Sequence, residues 1–176
     1  MLSFLKKKWC LAEVSLEGAA DLARQLSLPI EVTVLLVNRG VSTKEQADQF
    51  LASDLTQLHD PFLMAGMDRA VERVIRAIEN KESITVFCDY DVDGVTSAAF
   101  LTHFFRDLNC QVSAYLPERQ AEGYGLNSEA VRKIRDQGAS LMITADCGIT
   151  GVKEVALANE LGLDVIVTDH HQVGEE

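Results

Sequence analysis

The second half of this 176-residue sequence reads as an α/β fold, a parallel β-sheet with helices on both faces, preceded by a mostly helical N-terminal arm. Three observations predict it. From residue 81 onward, apolar runs of four to seven residues alternate with longer stretches of helical periodicity, the pattern of repeated strand–helix units. The runs are nearly continuous in apolar residues, as strands covered on both sides are. Gly138 and Gly162 stand where helices close, at positions that suit left-handed backbone.

The arm takes residues 1–80 and the α/β part residues 81–176. In the arm, Leu16, Ala19, Ala20, Ala23 and Leu26 recur at helical spacing. Ser42 with Glu45 three residues on fits a capping box, and Phe50 and Leu51 lie near that helix's apolar end. His59-Asp60-Pro61 is a break, because proline disfavours helix at the residue before it. A further helix carries Met67, Ala70, Val71, Val74, Ile75 and Ile78 on one side and ends at Asn80. Strands follow at Ile84–Cys88, Gln111–Leu116, Leu141–Thr144 and Val165–Thr168, with helices over about 95–108, 127–137 and 150–161. Strand, helix, strand in this order implies right-handed crossovers and parallel pairing.

Composition sets limits. The apolar share of 47% and the charged share of 24% are ordinary for a globular chain. The longest apolar run, Ile30–Val37, is too short to span a bilayer and contains Glu31 and Thr33, so no membrane partner is expected. Lys6, Lys7 and Lys8 are not followed by the apolar run of a signal peptide, and a cytoplasmic location is the expectation. Cys10, Cys88, Cys110 and Cys147 form no CxxC pair and read as reduced, buried thiols. The net charge of −11 on its own argues against nucleic acid. The objection weakens where acids cluster to hold cations, because bound ions reverse the local sign.

Three polar clusters each follow directly on an expected strand: Asp89-Tyr90-Asp91-Val92-Asp93-Gly94, Asp146-Cys147-Gly148 and Asp169-His170-His171. Ligands of open parallel sheets bind at the C-terminal strand ends, so three segments would deliver carboxylates and imidazoles to one edge. Carboxylate oxygen with imidazole nitrogen suits manganese, zinc or iron, whereas magnesium and calcium prefer oxygen alone. Several carboxylates allow a bridge between two ions, a common arrangement for hydrolysing phosphate esters. Gly94 would open a helix whose amides favour a phosphate. Each cluster has a rival reading. The triple-Asp segment matches the start of an EF-hand loop, but its twelfth position is Phe100 instead of Glu. The same segment would serve as a solvated, capping turn. Asp146 alone would serve as a helix cap, and adjacent histidines are often structural.

Together the clusters resemble the first three motifs of the DHH phosphoesterase superfamily, named for Asp-His-His, here Asp169-His170-His171. The finer resemblance is to its RecJ family. Asp89 to Gly94 is close to that family's first motif, and Thr144-Ala145-Asp146-Cys147-Gly148-Ile149 to its second. Pro117-Glu118-Arg119 leading to Glu122-Gly123-Tyr124-Gly125-Leu126 is similar to a further RecJ stretch. In the arm, Trp9, Leu35-Leu36 with Arg39-Gly40, and Leu58-His59-Asp60-Pro61 look like RecJ N-terminal segments.

The resemblance implies a DHH domain over residues 81–176 and an exonuclease that digests single-stranded DNA 5′→3′, in DNA repair and recombination, with Mn2+ or Mg2+ as a pair of ions. It implies Asp91, Asp93, Asp146 and His170 as metal ligands, with Asp146 as the bridge. Asp89 would bind or orient the site, and His171 would contact or polarise the scissile phosphate. Arg119, Tyr124 and Gly125 would meet the substrate, Arg119 through a DNA phosphate and Tyr124 by stacking on a base; the rival readings are an exposed Arg119 with no specific role and a Tyr124 that packs the loop. A single-strand-binding protein and a helicase are the implied protein partners. Two departures stand out. Cys88 replaces the family's usual glycine, crowding that position with a thiol that is a candidate soft-metal ligand. The family's fourth motif, with its further Asp, and its second domain are not in this sequence, which therefore reads as an N-terminal part. The alternatives are a DHH phosphodiesterase acting on short oligonucleotides or cyclic dinucleotides, and a non-catalytic replication scaffold.

Overall fold

The structure is a computed structural model that describes residues 15–52, 54–118, 120 and 122–174, with Lys8, Cys10 and Glu13. Lys6, Lys7, Trp9 and Arg119 lie outside the described residues. The chain forms two compact units, Met1–Asp60 and Pro61–Glu176.

The first unit contains α1 (Leu16–Leu26), α2 (Ile30–Val37) and α3 (Lys44–Leu51). Leu22, Leu36, Val41 and Ala47 form its core. Buried Thr33 fastens α2 to α1 by donating its hydroxyl to the Ala19 carbonyl at 2.8 Å. The apolar run Ile30–Val37 is thus a short helix of a small bundle, and no helix among the described residues is long and apolar enough to cross a membrane. The capping box of α3 lies one residue later than Ser42 and Glu45 suggest. Thr43 is the cap and Gln46 its partner. Two overlapping boxes compete here. The later one lets the Gln46 side-chain oxygen accept from the backbone N–H of both Ser42 and Thr43, at 2.9 and 3.3 Å.

The second unit begins with a helix that the sequence reading grouped with the arm. Helix α4 (Met67–Glu79) buries Ala77 in the same apolar cluster as the sheet. Four strands follow, β1 (Ser83–Cys88), β2 (Gln111–Tyr115), β3 (Leu141–Ala145) and β4 (Asp164–Thr168), all parallel in the order β2-β1-β3-β4. They alternate with α5 (Val92–Asp107), α6 (Ser128–Asp136) and α7 (Val152–Glu160).

Alternation along the central strands sorts the two cores. Ile84, Val86 and Cys88 of β1 and Leu141, Ile143 and Ala145 of β3 pack with Ala77, Ala98 and Phe105 of α4 and α5. Phe87 and Met142 point the other way, onto Ala130, Val131 and Ile134 of α6 and Ala158 of α7. Each fully buried large side chain contributes roughly 1.5–3 kcal/mol. Helices therefore cover both faces, as the continuous apolar runs predict. Gly138 and Gly162 sit just past α6 and α7 with φ of +90° and +71°, the left-handed closure expected of them. Of the cysteines, Cys88 and Cys147 are buried, but Cys10 is exposed and Cys110 partly exposed, against the expectation for those two.

Because β1 leads outward to β2 and the chain then returns across β1 to β3, the strand order reverses between β1 and β3. That reversal splays the loops apart and opens a crevice at the strand ends.

Candidate metal centre

Register places the site. Cys88 pairs with Ala145 and Ala145 with Thr168, so Asp89, Asp146 and Asp169 leave three adjacent strands at one level. The sequence alone predicts this convergence. The structure adds what each carboxylate does.

Asp146 sits in left-handed backbone, φ +64°, a strained conformation for which Asp is one of the more tolerant residues. Its amide donates to the Thr168 carbonyl at 3.0 Å, which carries the β3–β4 ladder one residue into the loop. The turn that follows needs Gly148, where φ is +104° and a Cβ would stand 2.9 Å from the Thr144 hydroxyl. Asp146 is not a helix cap, since α7 starts after Gly151 with no side-chain cap.

The Asp146 carboxylate meets His170 Nε2 at 2.8 Å. Asp146, His170 and His171 each offer a donor atom, all within 4.8 Å of one another, the single group of this kind among the described residues. One oxygen and two imidazole nitrogens form a donor set suited to a borderline divalent ion.

Asp169 holds this arrangement together, a role the sequence reading did not assign. Its side chain is 2% exposed. One oxygen accepts from the Ile149 amide at 3.0 Å, and the other from the His171 amide and ring Nδ1 at 3.0 and 2.7 Å. A carboxylate can only accept, so Nδ1 carries the proton and Nε2 is left for a ligand. Burial opposes ionisation of Asp169, but the bonds from His171 and Ile149 outweigh it and hold its pKa below the ordinary range. The His171 pKa is raised, chiefly by its bond to Asp169, with smaller contributions from the charges of Asp146 and Asp91. The sequence signal for Asp169 was its place at a strand end beside two histidines.

Asp89 is fully buried. Its Oδ2 accepts from the Gly125 amide at 2.9 Å, while Oδ1 has no partner. Burial above all raises its pKa, and the negative charges of Asp91 and Asp146 add to this, against the bond from the Gly125 amide. Acids crowded in this way, one with an orphaned oxygen, fit a site made to receive cations.

Asp91 and Asp93 stand outside the Asp146–His170–His171 trio. Asp91 caps α5, its Oδ1 accepting from the Gly94 amide at 2.9 Å. The helix thus starts at Val92, and the Gly94 amide is already committed, contrary to the expectation that it opens a phosphate-binding turn. Gly94 matters for space instead, since a Cβ there would lie 2.2 Å from the Asp89 carbonyl oxygen. Asp93 lines a cavity of about 1130 Å³ together with Asp146, Asp169 and His170. The Cys88 thiol does not reach the site. It packs in the α4–α5 core, where burial raises its pKa to about 11, and it is not among the grouped donor atoms of Asp146, His170 and His171.

The segment between β2 and α6 reaches the site through Gly125. Tyr124 is exposed, with its ring edge-to-face against Tyr90 at 6.0 Å.

Residues 83–176 match the family described as DHH family, N-terminal domain, and the chain belongs to that family. Over 171 residues it is 44% identical to the single-stranded-DNA-specific exonuclease RecJ of Bacillus subtilis (strain 168), an alignment covering 97% of this chain and 22% of that protein. A crystal structure of exonuclease RecJ bound to manganese superposes with a TM-score of 0.60 at 36% identity, covering 64% of this chain and 29% of the other. RecJ from Thermus thermophilus in complex with Mn2+ superposes with a TM-score of 0.65 at 28% identity, covering 94% and 23%. The chain thus spans less than a third of the length of these relatives.

Proposed function

We propose that this chain is the metal-binding part of a nuclease that hydrolyses phosphodiester bonds in single-stranded DNA, working 5′→3′ as an exonuclease with Mn2+ or Mg2+. The supporting observation is the Asp146–His170–His171 trio, built at a strand-order reversal in a chain 44% identical to a RecJ. In this reading Asp91, Asp93, Asp146 and His170 would hold the two ions, Asp146 being the ligand expected to serve both. Imidazole among the ligands favours manganese. Bound there, the ions would lower the pKa of an attacking water and stabilise the leaving oxygen.

The protein's own groups do the rest. Asp169 fixes the ring of His171, so that Nε2 faces a nonbridging phosphate oxygen. Asp89 accepts a hydrogen bond from the Gly125 backbone N–H and thereby joins the substrate loop to the acids. Tyr124 offers a ring on which a base stacks, and Arg119 meets a phosphate. The same reading places the protein in the cytoplasm, in DNA repair and recombination, with a single-strand-binding protein and a helicase as partners. That part rests on resemblance to RecJ.

Manganese calorimetry on this chain beside Asp91→Ala tests the site. Binding at about micromolar strength or tighter, weakened in the variant, is expected, and equal binding by both would remove Asp91 from the ligand set. Digestion of long strands against dinucleotides by the whole gene product tests the substrate. Cleavage of dinucleotides alone would replace the exonuclease reading with that of a short-oligonucleotide phosphodiesterase.

A further inference from the structure

The Tyr124–Gly125 segment, which meets Asp89 through the Gly125 amide, is held by residues outside the Asp146–His170–His171 trio. Gly123 and Gly125, with φ of +80° and +85°, bend the chain on either side of Tyr124. Glycine tolerates that backbone and does not enforce it, so something else must choose this geometry.

The contacts that bear on it gather at Glu122. Its side chain is 10% exposed and accepts from the Tyr115 hydroxyl at 2.7 Å. Its other oxygen lies 3.4 Å from the Glu118 amide and 4.0 Å from Lys133 Nζ. Tyr115 in turn stacks on Phe87, with ring centroids 5.6 Å apart and planes 16° from parallel. The contacts close a ring. It leaves β1 at Phe87, passes through Tyr115 and Glu122, runs along Gly123 and Tyr124, and returns to the end of β1 where the Gly125 amide meets Asp89 at 2.9 Å.

We propose that Tyr115 and Glu122 form a latch that positions the Tyr124–Gly125 wall for the nucleotide beside the scissile phosphate, the ligand class being a stacked nucleobase of a single strand. The inference rests on the nuclease reading above. Apolar packing would also keep the loop down, but it slides; a carboxylate bonded to one hydroxyl fixes a single register. Both residues act through Tyr124 and are positioning residues.

The test uses the whole gene product carrying Tyr115→Phe, Glu122→Ala, Glu122→Gln, Tyr124→Ala, or Glu122→Ala with Tyr124→Ala. KM and kcat on single-stranded DNA, manganese affinity by calorimetry and Tm are measured for each. Tyr115→Phe and Glu122→Ala should raise KM about tenfold, the scale of one lost base stack, with manganese affinity unchanged. Glu122→Gln should restore most of the loss, since its amide oxygen still accepts from Tyr115. The double variant should be no worse than Tyr124→Ala alone, because one contact cannot be lost twice. A lowered Tm with unchanged KM, or additive effects in the double variant, would overturn the latch. If Glu122→Ala fails to fold, Tyr115→Phe carries the same test, as it removes one oxygen and keeps the stack on Phe87. An inactive parent protein would instead sink the nuclease reading on which the latch depends.

Discussion

The inner and outer strands of the sheet end at the same level but deliver their side chains in opposite states. Asp89 at the end of β1 is fully buried, and the Asp146 side chain at the end of β3 is 9% exposed. Beyond the edge strand β4, the side chains of His170 and His171 are 73% and 48% exposed. The inner strands carry charge into a region where water cannot screen it, and the fold fixes its position. The outer strand supplies imidazoles that reach in from solvent, oriented by one buried carboxylate, Asp169. A metal centre assembled this way would have a rigid half and an adjustable half.

The contrast can be broken most directly at the proposed ligands. Asp146→Asn keeps a residue tolerant of left-handed backbone but removes the charge. In the whole gene product it should lower turnover by about a hundredfold or more, the scale for losing a preorganised charge. His170→Ala should cost less, because its exposed position lets water or a neighbour substitute. Turnover measured side by side decides the matter, and an equal or reversed order would refute the rigid and adjustable halves.

Next comes the space around Asp89. Gly94→Ala forces a methyl group against backbone and should destabilise the domain by about 3 kcal/mol in denaturant unfolding. Gly123→Ala meets open space and should cost only the left-handed backbone, about 1 kcal/mol. Similar losses at the two positions would mean that Asp89 is not held where the structure places it.

The strands themselves should differ in the same sense. Met142→Ala on buried β3 should cost about 3 kcal/mol. Val165→Ala on half-exposed β4 should cost about 1 kcal/mol. Urea midpoints would show whether the inner strands carry the stability.

The smallest effect concerns pH, at the opposite end of the sheet from the candidate metal centre. Arg73 bonds Glu82 at 2.6 Å and Asp164 at 2.5 Å. The bond from Arg73 is the main reason why the Glu82 pKa lies below its ordinary 4.5, with burial opposing it. A depressed carboxylate adds stability that is complete above the unfolded value and is lost as pH falls through the folded one. Arg73→Leu should therefore cost about 1 kcal/mol near neutrality and progressively less below pH 4.5. A cost that does not change with pH would assign the loss to packing.

Much of this was legible in the sequence. All four strands were, because their runs are mostly apolar, and so were the helices between them, bounded by Gly138 and Gly162. The convergence of Asp89, Asp146 and Asp169 followed from strand order alone. The cap of α3 was misplaced by one residue because two capping boxes overlap in Ser42-Thr43-Lys44-Glu45-Gln46, and sequence does not rank them. Helix α4 went to the arm because its apolar face says that it packs, without saying on what. Cys88 looked like part of the site because it adjoins Asp89, yet alternation along β1 turns it into the core.

The sequence by itself determined the layered α/β unit, its strand ends and the residue types gathered there, because periodicity and chain order are local and one-dimensional. Tertiary structure alone decided which acids are buried, that Asp169 holds His171, and that Gly125 closes onto Asp89 from 36 residues away. Those depend on side-chain direction and on contacts between segments distant in sequence, and no pattern within one segment encodes either.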